Sequence, residues 1–401
     1  MIDQAKRFAN KNKYCYYLIY ILFCMYGYLF SLLCLIMRIF PIKHNKIVCC
    51  NMKGKRYGDN PKYIVDELLA EHADYDIVWL MRPDIDAELP EGVRRGKYRM
   101  LSMAYELTTA KIWIDSNTKP LGTLKRKGQY FIQTWHGSYG LKKMYGDIPD
   151  KINLFDERNI RYNSKIQDLF VSNSHFYSEI YHRAFWYDGD ILECGSPRND
   201  IFFSDGDFRT KVEQYFQTTG KHMALYAPTY RNDFGTASYQ LDFDRLISNL
   251  EQRFGGEWVV LVRLHPHNLI DAANFLQYTD KVINATEYSV MQELLAACDI
   301  LISDYSSCMF DFVTTKKPCF MYASDAAAYK DEHDFYFNIY DLPFPLAENN
   351  DEMENIILQF DPVAYEKDLQ AMFDMVGLKE NGTACKQVVE RIKQISTSST
   401  L

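Results

Sequence analysis

Ile300-Leu301-Ile302-Ser303-Asp304-Tyr305-Ser306-Ser307-Cys308-Met309-Phe310-Asp311-Phe312 joins an apolar run of strand length to a helical period with no linker between them. A strand feeding straight into a helix is the repeating unit of a parallel sheet covered on both faces. Two serines fall at the turn. The first N–H groups of a helix have no partner within it, so together with the hydroxyls of Ser306 and Ser307 they can take a diphosphate. One serine suffices as an N-cap, and that plainer reading of Ser306 stands beside the other.

Outward from this stretch the alternation continues. Met223–Ala227, Trp258–Leu264, Val282–Asn284 and Cys319–Tyr322 read as further strands, with helices over Tyr288–Ala297 and Cys308–Thr315. A polar, helix-like segment over 202–220 separates these from an earlier set. That set has strands at Ile47–Cys50, Asp76–Met81, Lys111–Asp115, Tyr130–Thr134, Asp168–Ser172 and Asp190–Cys194, and helices over Asn60–Leu69 and Tyr105–Ala110. The pattern predicts an α/β protein with two doubly wound domains, residues 44–205 and 206–401, facing a cleft at the C-terminal ends of their strands.

Three other strand ends carry candidate chemistry. Gln133-Thr134-Trp135-His136-Gly137-Ser138 leads into Leu141-Lys142-Lys143. A histidine here can take a proton near neutral pH, and Gly137 lets a substrate approach the backbone; a structural hydrogen bond is the plainer use of His136. Trp258–Leu264 delivers Arg263 and then His265-Pro266-His267. Guanidinium and imidazole both donate to phosphate oxygens. A metal pair is the weaker reading, because His265 and His267 point to opposite sides of a continuing strand and no carboxylate stands at helical spacing. Ala227-Pro228-Thr229-Tyr230-Arg231 adds a hydroxyl and a guanidinium, a phosphate clamp unless Arg231 pairs with Asp233 at the surface.

The chain has 401 residues with 45 basic and 53 acidic side chains, a net charge of −8. This length and balance fit two globular domains and exclude both disorder and a dominant basic face for nucleic acid. The ten cysteines form no C-x-x-C pair and no zinc spacing, and read as reduced, buried small hydrophobes. One segment departs from the average: Tyr14–Met37 has no charged residue, with Lys6, Arg7, Lys11 and Lys13 before it and Arg38, Lys43 and Lys46 after it. It predicts a membrane helix. A cleaved signal peptide is disfavoured by the length of the apolar run and by Ile39-Phe40-Pro41 at its exit. A helix lying in the interface is the alternative, since the segment carries tyrosines at 14, 16, 17, 20, 26 and 28. Lys53, Lys55 and Arg56 make the basic residues denser after the helix, which puts the C-terminal bulk in the cytoplasm.

Taken together, Gln133-x-Trp135-His136-Gly137, Ala227-Pro228-Thr229-Tyr230-Arg231, Arg263-x-His265-Pro266 and Ser303-Asp304-Tyr305-Ser306-Ser307-x-Met309-Phe310-Asp311-Phe312 resemble the CDP-glycerol glycerophosphotransferase family, the teichoic acid primases and polymerases. The resemblance extends through Gly58-Asp59-Asn60-Pro61-Lys62-Tyr63 and Gly195-Ser196-Pro197-Arg198-Asn199-Asp200, and covers about residues 45–375.

The resemblance implies a GT-B-like pair of Rossmann-type domains behind a membrane-associated helix within residues 1–43. The first domain would face the acceptor and the second would bind a CDP donor. A polyol phosphate, glycerol phosphate first, would pass from CDP-glycerol or CDP-ribitol to a lipid-linked saccharide at the cytoplasmic membrane, in teichoic acid or capsule-type polymer synthesis. CMP would leave, with no cofactor, metal or nucleic acid implied. By motif match His136 would be the general base on the acceptor hydroxyl. His265, the second catalytic candidate, would hold the donor phosphates with Arg263. Arg231, Thr229, Ser306 and Ser307 would complete the donor phosphate site, and Gly137, Ser138 and Lys142 would lie on the acceptor side. In-line attack at phosphorus is compatible with one base plus cationic and N–H donors.

Two departures from the family pattern stand out. Where the family often has Thr-Pro-Leu-Lys after His-Gly, this chain has Ser138-Tyr139-Gly140-Leu141-Lys142, one residue longer. The long N-terminal extension of the large polymerases is also missing, so compact primase-like or capsule-type forms are the expected matches. A nucleotide-sugar glycosyltransferase of the same fold is the competing enzyme, and a membrane-anchored binding protein the competing class.

Overall fold

The computed structural model describes residues 13–72, 74–137, 140–229, 240–264, 277–326, 329 and 334–397. Ser138, Arg231 and His265 lie outside the described residues. The first sheet contains β1 (Lys43–Cys50), β2 (Asp76–Met81), β3 (Val93–Lys97), β4 (Ala110–Asp115), β5 (Tyr130–Gln133), β6 (Leu169–Ser172) and β7 (Asp190–Glu193). They lie in the order β3-β2-β1-β4-β5-β6-β7, each pair parallel. The second sheet contains β8 (His222–Tyr226), β9 (Trp258–Val262), β10 (Val282–Asn284), β11 (Ile300–Ser303), β12 (Cys319–Tyr322) and β13 (Leu346–Ala347). Its order is β10-β9-β8-β11-β12-β13, again parallel. The expected α/β class with two doubly wound sheets is present. In each sheet the strand order reverses beside the first strand, between β1 and β4 and between β8 and β11. Such reversals are where ligands of open parallel sheets bind.

Two strands were not legible. Val93-Arg94-Arg95-Gly96-Lys97 is an edge strand whose charged residues face solvent, so it lacks the apolar run that marks its neighbours. Leu346–Ala347 is too short to show a pattern.

The first sheet buries both faces, as a parallel sheet must. On one face Ile47, Cys49, Ile77, Trp79, Ile112 and Ile114 pack with Ile64, Val65 and Leu68 of the helix Asp59–Ala70. On the other, Val48, Val78, Leu80, Trp113 and Phe131 pack with the helix Met100–Thr109 and with Phe30 and Cys34 of the helix Lys13–Met37. The apolar N-terminal helix, called α1 below, is therefore built into a core. Eight of the ten cysteines are buried; Cys15 and Cys24 on α1 are only half-buried.

The chain divides into two compact units. One holds the chain up to His136, Met144–Arg198 and the segment from Thr383; the other holds Gly137–Lys143 and Asn199–Gly382. The division thus falls at Arg198/Asn199 rather than at 205/206. The final helix, Ala384–Thr397, also departs from expectation: Ala384, Val388, Val389, Ile392 and Ile395 belong to the core of the first sheet. A polar stretch can mark where a chain leaves a domain, but it carries no sign of a later return.

Lys46 corrects another reading. It is not a charge flanking α1 in solvent, because its ammonium is fully buried, 2.6 Å from Glu106. Glu106 is shared with Arg94, which also pairs with Asp76. Burial lowers the Lys46 pKa, opposed by Glu106.

Candidate functional site

At the end of β5 the chain turns through Thr134-Trp135-His136 beside the end of β4. The Thr134 N–H donates to the Asp115 carbonyl at 2.9 Å. His136 Nδ1 lies 2.7 Å from the carbonyl oxygen of Ser116. A carbonyl only accepts, so Nδ1 carries the proton and Nε2 the lone pair. Asn117 Nδ2, 3.4 Å from the same Nδ1, faces an N–H and makes no useful bond with it. Burial holds the imidazole pKa below its ordinary value, with the Ser116 carbonyl opposing. The ring is therefore neutral at physiological pH and in the tautomer of a base.

The turn is strained and braced. Trp135 has φ 52°, a left-handed conformation that costs a non-glycine residue about 1–2 kcal/mol. Its indole is buried edge-on against Phe185, with ring centroids 4.8 Å apart. Asn60 Nδ2 donates to the carbonyls of both Thr134 (3.2 Å) and Trp135 (3.1 Å). Asn60 Oδ1 accepts the Arg198 N–H at 3.1 Å. Arg198 Nη1 donates to the His136 carbonyl and to Asp59 Oδ1, each at 2.8 Å. Asp59, Asn60 and Arg198 therefore fix the backbone on which His136 is presented. Sequence reasoning quoted their motifs without giving them a task, and only the fold brings them to one loop.

Ser116 is fixed in turn. Its hydroxyl donates to Asn51 Oδ1 at 2.7 Å, tying the ends of β1 and β4 together across the reversal point. Next to it, the buried Asp115 and Lys119 pair at 2.9 Å.

In the second sheet the ends of β8, β9 and β11 are cross-linked. Thr229 donates to Asp304 Oδ1 through both its N–H (2.8 Å) and its hydroxyl (2.5 Å), and the Tyr305 N–H reaches the same oxygen at 2.6 Å. Ser303 Oγ donates to the Ala227 carbonyl at 2.6 Å, and the Arg263 N–H to the Tyr226 carbonyl at 2.8 Å. Asp304 is a residue that sequence reasoning missed. It takes the Thr229 hydroxyl proton, so Thr229 offers a ligand lone pairs rather than that proton. The Arg263 guanidinium donates to the Tyr288 carbonyl. Ser306 and Ser307 are half-buried beside the same reversal point. Ser306 Oγ meets the Cys308 N–H at 3.4 Å and the Cys308 thiol, and the Ser307 side chain makes no capping bond. The helix they precede, Cys308–Phe312, is five residues long, so its dipole adds little. The N–H groups of Met309, Phe310 and Asp311 are taken by the carbonyls of Ser306 and Ser307, so what remains on offer are the two hydroxyls.

Gly137 and Lys142 sort with the second unit rather than with His136. Lys142 bridges Phe335 in antiparallel fashion, and the Lys143 N–H donates to the Asp334 carbonyl at 2.8 Å. The Lys142 ammonium lies 5.1 Å from the centroid of the Tyr329 ring, which stacks on Tyr305 at 3.8 Å. Within the second unit, Lys142 is thus tied through Tyr329 to Tyr305. Among the described residues no three metal-ligating side chains come together.

The model of the CDP-glycerol:poly(glycerophosphate) glycerophosphotransferase family matches residues 32–394. The chain belongs to this family. It is 29% identical over 374 residues to a teichoic acid poly(glycerol phosphate) polymerase of Staphylococcus epidermidis, covering 88% of this chain and 51% of that protein. A teichoic acid poly(ribitol-phosphate) polymerase of Bacillus spizizenii is 30% identical over 338 residues, covering 80% of this chain and 52% of that one. The chain spans about half the length of these two relatives. The solved structure of the wall teichoic acid polymerase TagF superimposes with a TM-score of 0.77 at 28% identity, covering 88% of this chain and 90% of that one. The fold of this glycerophosphotransferase-family chain is accordingly GT-B-like.

Proposed function

We propose that this glycerophosphotransferase-family chain moves a polyol phosphate, glycerol phosphate first, from a CDP-linked donor to a hydroxyl of a lipid-linked acceptor. The observation that carries the reading is the fixed tautomer of His136, a neutral imidazole with its Nε2 lone pair uncommitted to Ser116. Nε2 takes the proton of the acceptor hydroxyl as that oxygen attacks phosphorus. The bond from this phosphorus to the bridging oxygen breaks, and CMP leaves with the electron pair. The hydroxyls of Ser306 and Ser307 meet the donor phosphates, with Arg231 and His265 assigned there by motif. Such a reaction is governed by positioning and charge neutralisation. Relatives named for glycerol phosphate and for ribitol phosphate polymers support the polyol class.

The membrane placement is supported by α1. It is long and apolar enough to cross a bilayer, with a mean hydropathy of 2.2 over its best window. Yet one side is committed to protein: Phe30 and Cys34 sit in the core, and Ser31 Oγ donates to the Gly122 carbonyl at 2.9 Å. Leu18, Ile21, Leu22, Met25, Leu29 and Leu32 face outward. A helix held along its length by the domain, with an apolar outer side, favours lying in the cytoplasmic interface over spanning.

The test is to incubate the full chain and vesicles with a lipid-linked disaccharide and either CDP-glycerol or CDP-ribitol, and to follow CMP. Release with one of the two donors is expected. No release with either, or turnover of a UDP-sugar in their place, overturns the reading.

A further inference from the structure

A cavity of about 450 Å³ opens between α1, the Leu121-Gly122 turn and the helix Leu154–Ile166. Its inner wall is apolar, made by Cys24, Gly27 and Leu121, with Tyr28 at the exposed lip. Gly27 matters because a Cβ there would meet Leu121 Cγ at 3.0 Å, so the wall is as close as two chain segments can come. The opposite wall is net cationic: Arg158, Arg161 and Lys165 line it from one side of a single helix, with Glu157 as the one carboxylate among its lining residues.

These three cations are not equivalent. Arg161 is engaged, its Nε 2.9 Å from Glu157 and its guanidinium stacked 3.7 Å over the Trp186 ring. Among the described residues Arg158 has only a neutral partner, the Tyr20 hydroxyl at 3.1 Å, and Lys165 has no carboxylate within ion-pair distance. Arg158 and Lys165 stand two turns apart, about 10 Å along the helix axis, a span that two long side chains can close on one anion. An apolar slot whose rim holds two uncompensated cations fits an amphiphile with a single anionic head. Neither inorganic phosphate, which has no use for the slot, nor a zwitterionic lipid, whose ammonium opposes the rim, fits as well.

We infer that this cavity binds one anionic phospholipid, with its phosphodiester between Arg158 and Lys165 and an acyl chain along Cys24, Gly27 and Leu121. The inference rests on the interfacial placement of α1 proposed above, which brings the cavity mouth to headgroup level. It also has a structural link to the chemistry. The cavity wall at Leu121-Gly122 and the Ser116 carbonyl that sets His136 belong to one short loop, held to the same helix by Asn159 on Thr118 (2.8 Å) and by Asn163 on Lys119 (2.7 Å).

The test titrates the full chain with soluble dihexanoyl-phosphatidylglycerol by calorimetry. One saturable site is expected, with weaker binding of dihexanoyl-phosphatidylcholine. R158Q and K165Q should each bind about tenfold more weakly, the loss of one charge-assisted contact. Both side chains are exposed, so unchanged thermal unfolding checks that the variants fold. Equal binding by the variants, or inorganic phosphate binding as tightly as the lipid, overturns the inference. Farnesyl diphosphate displacing the lipid at lower concentration also overturns it, assigning the cavity to an isoprenoid diphosphate. Flotation on vesicles separates the two readings: a chain that floats but binds no soluble lipid stoichiometrically has lost only this site, whereas one that binds soluble lipid but never floats has lost the interfacial placement.

Discussion

His136 and Ser116 are joined by a 2.7 Å contact between a ring nitrogen and a backbone carbonyl, so the imidazole proposed as the base is oriented by a group that no side-chain substitution removes. Replacing His136 by Gln should lower turnover by about 10²–10⁴-fold, the usual worth of a general base, while donor affinity by calorimetry is retained. A parallel loss of donor binding would show that His136 is not the base. Because burial depresses its pKa, kcat/KM should stay level through neutrality and fall only below about pH 6.5, where an ordinary histidine already titrates. The linkage has the same sign. The unfolded chain takes this proton first, so the contribution of His136 to stability is whole above that pH and is lost as pH falls toward the folded value.

The brace on the His136 loop should show itself in kcat. Asn60→Ala removes the donor to the Thr134 and Trp135 carbonyls and should cost about 1–3 kcal/mol of stability. Arg198→Ala removes the one Nη1 that serves the His136 carbonyl and Asp59 together. Both variants should lower kcat with little change in the KM for donor. A rise in KM with kcat intact would mean that these residues touch the donor.

In the second sheet, Asp304→Ala strips three donors of their common acceptor and should loosen the Thr229 and Tyr305 turns. The expected reading is weaker donor binding, about tenfold, with His136-dependent chemistry preserved on saturation. Unchanged donor affinity would remove this turn from the donor site.

The Lys46–Glu106 pair gives a stability test away from the chemistry. Glu106→Gln leaves a fully buried ammonium without its counter-charge and should cost about 3–5 kcal/mol in urea unfolding. A cost below about 1 kcal/mol, as at an exposed pair, would contradict that burial.

Much of this was legible, for a physical reason. Buried parallel strands are continuous apolar runs, and β2, β10, β11 and β12 begin and end where such runs do. His136, Ser306 and Ser307 stood out as candidates because strand ends gather ligands, and the structure places them just past β5 and β11. Asp59, Asn60, Arg198 and Asp304 escaped because their work is to hold backbone atoms of segments distant in sequence, and nothing local records that. The return of Ala384–Thr397 to the first core escaped likewise.

Gly122 offers the last test and a practical lesson. With φ +88°, a Cβ there would sit 1.9 Å from the Gly27 carbonyl oxygen, whereas Gly128, at φ +87°, has nothing within 4 Å. Gly122→Ala should therefore destabilise by about 1–3 kcal/mol more than Gly128→Ala, the part due to overpacking rather than to backbone conformation. Equal losses would mean that α1 is not seated on this turn.

If it is seated, the usual route to a water-soluble preparation is closed. Cutting away residues 1–40 would not trim an appendage; it would open the face of the first sheet that Phe30 and Cys34 seal, and expose Trp113 and Phe131 to solvent. Purification will have to keep the greasy helix and supply it with detergent or lipid, because the part proposed to lie in the bilayer surface is also a wall of the first domain.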